Sequence, residues 1–250
     1  MKLRSMSKPS FPALLMATLC LCTSLSNRAS GSDADHLVPV EKALGTRAAY
    51  GELWQQKLLL TPGEVARFVG LPGTVGVETA VSVYRTPGKK DSLAGNYWVT
   101  ATQASERLWN CVERPGERKV DSNTIHIERC DAPIAKSTAI AVHKVWLAML
   151  SRARPAQQSN DIVLDSSREI FSATDSQGNV LQAESSTDPQ ANSRALIDIA
   201  LTFLEYCGAP VEQRMSIAHK IEREASNLLK RLERSNAGRQ KKISRKRNGI

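Results

Sequence analysis

Chemically, this sequence is defined first by what it is short of. Its 250 residues include five cysteines, four histidines and only 5% aromatics. They contain no His-Glu-x-x-His, no Gly-x-Ser-x-Gly, no phosphate loop closing in Gly-Lys-Ser/Thr and no Cys-x-x-Cys. Those absences remove the zinc peptidases, the nucleophile-elbow hydrolases, the P-loop nucleotide enzymes and the dithiol redox proteins, because each chemistry needs its residues at that spacing. The nearest glycine pattern, Gly70-Leu-Pro-Gly73-Thr-Val-Gly76, opens neither a helix nor a β-helix-β unit and reads as a loop. Gly88-Lys89-Lys90 lacks the upstream glycine of a phosphate cradle.

What is present begins with an export signal. Lys2, Arg4 and Lys8 make a positive start, Phe11 to Leu25 is a mostly apolar stretch, and Ala29-Ser30-Gly31 supplies the small residues that a signal peptidase reads. The stretch is shorter than the roughly 20 apolar residues of a membrane span. Leu19 before Cys20 and Leu21 before Cys22 disfavour lipidation, which wants small residues there. Residues 1–31 are therefore expected to be cleaved near Gly31, placing the protein in the periplasm or outside the cell.

The net charge of +9 is unevenly spread. Residues 1–31 carry +4, residues 32–210 carry −3, and residues 211–250, with 12 basic and 4 acidic side chains, carry +8. The high isoelectric point thus describes the two ends, not a basic face on the folded body.

Cys111, Cys130 and Cys207 survive cleavage, and in an oxidising compartment two of them should pair. Folding residues 105–112 onto 124–130 as a hairpin sets Cys111 opposite Cys130, within disulfide reach. Cys207 extends the helical stripe Leu196, Ile199, Ala200, Phe203, Leu204 and is expected as a buried free thiol.

The remaining pattern predicts an α+β domain over 32–208, an antiparallel sheet built from hairpins with helices packed on it. Helices are expected near 47–56, over 134–152 with Asp131 as cap and Pro133 in the first turn, and over 193–206. Strands are expected at 64–69, 77–84 and 97–103, with TPGKKDSLAG as a loop tip. The segment EIFSATDSQGNVLQAE reads as a hairpin that pairs Phe171 with Ala183 and Ala173 with Leu181. A sub-boundary could fall at 155–160, in PAQQSND. Residues 209–236 read as an amphipathic helix, with Val211, Ala218, Ala225 and Leu232 recurring every seven residues beside Ile221 and Leu228. That seam would pack on the body or form a homodimer through 211–232. Residues 237–250 are expected to be a disordered basic tail.

Candidate functional residues are sparse. Tyr97, Trp98 and Trp109, with Arg107 and Arg85, could form a cluster that grips a glycan, a peptide or a membrane headgroup. Arg239, Lys241, Lys242, Arg245, Lys246 and Arg247 could hold a polyanion such as an anionic membrane surface or an acidic glycan. His126, Glu128 and Cys130 alternate along one strand, but a disulfide would remove the sulfur ligand, so no metal or cofactor is expected. His143 reads as a core or rim residue, and Cys207 with His219 as a nucleophile pair is opposed by the cysteine's apolar setting. The expected function is that of an exported, non-enzymatic binding module. A secreted hydrolase with a dispersed active site is the alternative, and a polyanion or nucleic-acid binder acting through the tail is a second.

Overall fold

The computed structural model describes residues 35–40, 44–59, 64–86, 96–112, 120–155, 167–185 and 189–247, with only the backbone for 236–247. The expected signal segment 1–31 lies outside them, as does most of TPGKKDSLAG and of PAQQSND. The elements are α1 (Thr46–Leu58), β1 (Glu64–Leu71), β2 (Thr79–Arg85), β3 (Tyr97–Ala104), a 3-10 turn (Leu108–Cys111), β4 (Ile127–Ile134), α2 (Lys136–Leu150), β5 (Arg168–Thr174), β6 (Val180–Glu184), α3 (Ala191–Gly208) and α4 (Val211–Arg247). The strands form one six-stranded sheet in the order β4-β3-β2-β1-β5-β6, and every neighbouring pair is antiparallel. This is the α+β class. Strands on both sides of residues 155–160 belong to the same sheet.

Strand periodicity divides the side chains between two cores. On one face Ala66, Phe68, Val81, Val83, Val99, Ala101, Ala132, Phe171 and Ala173 pack beneath α2, α3 and α4. Trp146 of α2 seals this core: its ring stands edge-on to Phe171 at 5.5 Å and its Nε1–H donates to the Arg67 carbonyl at 3.1 Å. The heptad seam of α4 is used here, with Ile217, Ala218, Ile221, Ala225, Leu228 and Leu232 all buried against the body. The face expected to serve a homodimer is thus consumed within the chain, while Val211 and Met215 at its start are exposed.

The β5–β6 hairpin has the expected register, Phe171 opposite Ala183 and Ala173 opposite Leu181. Its turn is held by Asp175, whose Oδ1 accepts from the amides of Gln177 and Asn179, each at 2.8 Å. Gly178 takes φ 85°, a conformation that disfavours a side chain.

Three expectations are corrected. Asp131 and Pro133 do not start α2: β4 continues to Ile134, because it pairs with β3 along its whole length. Ala135 caps α2 without a side-chain bond, and Glu222 of α4 takes the hydroxyls of Ser137 and Thr138 in the first turn instead. The Cys111–Cys130 hairpin does not form either. Residues 108–111 wind into the 3-10 turn, Cys111 is buried as a free thiol in the core on the other side of the sheet, and the disulfide joins Cys130 to Cys207. Finally, α4 does not stop at Asn236-Ala237-Gly238 but runs to Arg247. One glycine costs a helix only about 1 kcal/mol relative to alanine, and the arginines, lysines and glutamine around it are good helix formers.

The Cys130–Cys207 bond fastens the edge strand β4 to the end of α3, where the junction with α4 is also tied down. Tyr206 donates its hydroxyl to the Pro133 carbonyl at 2.6 Å, and Arg214 lies over the Tyr206 ring while donating to the carbonyls of Ala209 and Cys207. Peptide mapping without reduction should recover Cys130 linked to Cys207, with Cys111 free. Because the bond spans 77 residues, replacing both partners with serine should lower the unfolding free energy in urea by about 4 kcal/mol.

Candidate functional site

The sheet face opposite the three long helices is apolar over one half and polar over the other. In the apolar half, Val69, Leu71, Ala80, Ala104 and Ile170 meet Trp54 and Leu58 of α1 together with Leu108 and Cys111 of the 3-10 turn. Glu78, fully buried just before β2, organises this contact. Its carboxylate accepts the Tyr50 hydroxyl at 2.6 Å, the Leu108 amide at 2.8 Å and the Trp109 amide at 3.2 Å, so one anion joins α1, the turn and the sheet. Burial and the hydrogen bond to Glu78 hold the Tyr50 phenol well above its ordinary pKa. Burial, then the Glu78 charge, also raises the Cys111 thiol. A protonated, buried thiol is a packing group and not a nucleophile. An open cavity of about 430 Å³ beside it is lined by Gly45, Ala49, Leu53, Cys111 and Val112.

The polar half is built from register. Asp131, Thr100, Ser82, Arg67, Ser172 and Gln182 stand directly opposite one another across β4, β3, β2, β1, β5 and β6, forming a continuous row over all six strands. Most members bond to one another or to Glu64 and Arg129 beside the row. Thr100 donates to Asp131, which Arg129 grips through Nε at 2.8 Å. Ser82 donates to Glu64 at 2.7 Å, Arg67 bridges to Glu64 at 3.0 Å, and the Arg67 Nε–H donates to Ser172 at 3.2 Å. Beside this row Trp98 and Tyr84 are themselves paired in register and half-buried. A cleft of about 240 Å³ opens over Glu64, Arg67, Ser172, Thr174 and Val180.

The aromatic and arginine cluster expected from the sequence is dispersed. Trp98 belongs to the polar face, whereas Tyr97, its neighbour along the strand, packs against the three-helix core. Arg85 is opposite Tyr97 at the exposed end of β2. Trp109 stacks edge-on against Tyr50 at 4.9 Å. Arg107 clasps the carbonyls of Gly73 and Thr74, fixing the loop that the glycine pattern marked. Consecutive strand residues point to opposite faces, so proximity in sequence misled here. Among the histidines, His143 bonds the Thr174 carbonyl through Nε2 at 2.7 Å, and His126 and His219 are exposed. Cys130 and Cys207 are joined to each other, which removes Cys130 from His126 and Glu128 and Cys207 from His219. Among the described residues no group of three or more His, Cys, Asp or Glu is placed to hold a metal. Sequence reasoning did not find the polar row; the alternating Ser, Thr and Arg positions in the strands were its only trace.

Comparison with family models, curated proteins and solved structures finds no match for this chain.

Among the described residues, three carboxylates have lowered pKa values: Asp131 through its bond from Arg129 and then that from Thr100, Asp175 chiefly through Asn179, and Glu222 through Thr138 and then Ser137. A carboxylate with a lowered folded-state pKa stabilises the fold above its ordinary range, and that contribution is lost as pH falls through the lowered value. The urea midpoint should therefore be flat with respect to these groups above about pH 5 and fall below about pH 4. Glu222→Gln should reduce that acid-side slope.

Proposed function

We propose that this protein is an exported, non-enzymatic binding module that holds a neutral, hydrogen-bonding partner on the polar half of its sheet. The observation that carries this reading is the six-strand row from Asp131 to Gln182 with Trp98 and Tyr84 beside it. Ser82, Thr100 and Ser172 are buried and bonded within the row, so what the face offers a partner is the half-buried Trp98, Tyr84 and Arg67 with the exposed Asp131 and Gln182, aromatic area beside polar groups, the mixture that orients a ligand at a binding surface. Its charges are compensated in place, Glu64 by Arg67 and Asp131 by Arg129. A strongly charged partner would therefore find no net field to favour it, whereas an uncharged glycan or extended peptide would.

Export is supported by the order of charged, apolar and small residues before Gly31, and cleavage there would spare the contacts made from Asp35 onward. Asp35 accepts from the Asn192 amide at 2.9 Å, and Val38 exchanges two backbone bonds of 2.8 Å with Glu184. Leu37 is fully buried between them. Cleavage near Gly31 would leave this anchor intact. N-terminal sequencing of exported material should give a start near Ser32 and before Asp35; an intact Met1 chain recovered in membranes would overturn the export reading.

Binding is tested by adding neutral oligosaccharides and uncharged peptides to isotope-labelled protein. Amide shifts should cluster at Thr100, Ser82, Arg67 and Ser172, and Trp98→Ala should weaken binding about tenfold, as expected for about 1.4 kcal/mol of lost contact. Shifts confined to other surfaces would refute the site. Turnover of ester, peptide or glycoside substrates that disappears in Arg67→Ala would make the protein a hydrolase instead.

A further inference from the structure

We propose that the open cavity between α1 and the 3-10 turn binds a small neutral molecule with an aliphatic body and a single hydroxyl or carbonyl group. The site belongs to the apolar half of its sheet face and does not rest on the polar row. Its volume, about 430 Å³, falls within the usual range of ligand pockets, roughly 300–1,000 Å³. An apolar protein cavity of roughly 150 Å³ is enough to hold benzene, so this one suits a body of about ten to fifteen non-hydrogen atoms.

The walls are apolar and come from two elements. Ala49 and Leu53 of α1 line one side; being four residues apart they share a helical face with Thr46, whereas Trp54 and Leu58 are the helix's contacts with the core. Cys111 and Val112, at the end of the 3-10 turn, line the other. Gly45 enters α1 with φ 56°, and a Cβ built on it would meet nothing within 4 Å, which leaves the cavity open at the start of the helix. Leu44, its neighbour in the chain, is an exposed large apolar side chain. An aliphatic body placed here would remove such surface from water.

The polar part of the ligand follows from two hydroxyls. Thr46 and Ser122 also line the cavity, and neither side chain has a hydrogen-bond partner among the described residues. Each can donate to or accept from a hydroxyl, and can donate to a carbonyl. Charge is what the site does not accommodate. Among the described residues lining it none is acidic, basic or a histidine, and burial, then the Glu78 charge, keeps the Cys111 thiol protonated. An ionic ligand would leave water without a counter-charge. The charges acting on Cys111, Glu78, Asp121 and Glu106 against Lys57, sum to a negative field that further opposes an anion, and a cation would find no carboxylate on the wall. Nor does the chain carry a matching occupant beside the walls. Residues 41–43 and 113–119, which adjoin them in sequence, read Glu-Lys-Ala and Glu-Arg-Pro-Gly-Glu-Arg-Lys and include no large apolar side chain.

The test adds 1-decanol, decanoate and decylamine, which share one chain and differ in charge at neutral pH, to isotope-labelled protein at concentrations that form no micelles. We expect decanol to shift the amides of Ala49, Leu53 and Val112 and to slow alkylation of Cys111 by N-ethylmaleimide at least fivefold. Ala49→Phe fills the cavity from an exposed helix position, and Ala49→Leu fills less of it. They should weaken decanol binding at least tenfold and about threefold respectively, with the circular dichroism and the Cys130–Cys207 bond unchanged. Decanol shifts that avoid these residues would overturn the proposal. So would unchanged affinity in the folded Ala49 variants, or tighter binding of decanoate or decylamine than of decanol.

Discussion

The architecture depends on the antiparallel seam between β1 and β5. Six residue pairs, from Ala66–Ala173 to Leu71–Arg168, join segments about a hundred positions apart and place β1 in the interior of the sheet. Once β1 is interior, both of its faces need partners. Ala66 and Phe68 find theirs under the helices, with Phe68 tilted against Phe171 at 5.3 Å. Val69 and Leu71 find theirs under α1 and the 3-10 turn. Arg67 lies between Ala66 and Phe68 in the chain but in the phase of Val69 and Leu71, and it is there that the polar row crosses the strand. The seam also explains why α2 must span from β4, at one edge, toward β5 on the far side, lying across the sheet as it does so.

The two faces are covered by different means because the chain has unequal material for them. Three helices of 15, 18 and 37 residues serve one face, while α1 and a four-residue turn serve the other. A short turn cannot bring enough apolar area to hold itself down, and Glu78 replaces area with directed bonds. An isolated buried carboxylate would be prohibitively unfavourable, but one that accepts two amides and a phenol is compensated. The arrangement concentrates dependence on one side chain. Without it, Tyr50, Leu108 and Trp109 would each lose a polar partner inside the same core.

What could be read from the sequence was local. The β5–β6 hairpin was legible to the residue because its turn, its alternation and its pairing all lie within sixteen positions, and Asp175 with Gly178 dictates the reversal. The α4 seam was legible because a seven-residue repeat reports burial whatever it packs against. The disulfide was not, since pairing across 77 residues requires knowing that the end of α3 lies under β4, which is decided by contacts such as Tyr206 with Pro133. Proximity suggested Cys111 instead, but the amides of Leu108 and Trp109 turn toward Glu78 and carry that cysteine to the other core. The candidate site failed in the same way. A polar phase within each strand is visible in Ser82, Thr100 and Ser172, yet only the combined register of five strand pairs shows that the phases align.

That alignment is also what makes a polar face tolerable on a sheet whose opposite face is a dry core. Hydroxyls and charges placed singly among strands would compete with the backbone for hydrogen bonds or remain half-desolvated without partners. Here each group near the centre of the row meets another: Thr100 with Asp131, Ser82 with Glu64, Arg67 with Ser172. A network satisfied internally keeps its side chains in defined positions without a ligand, and a preorganised surface loses less entropy on binding than a mobile one. The same compensation removes net charge from the face. The Cys130–Cys207 bond and the Arg214–Tyr206 contact brace the start of α4 against the sheet that carries the polar row, so the face is held in place by the core behind it as well as by its own bonds.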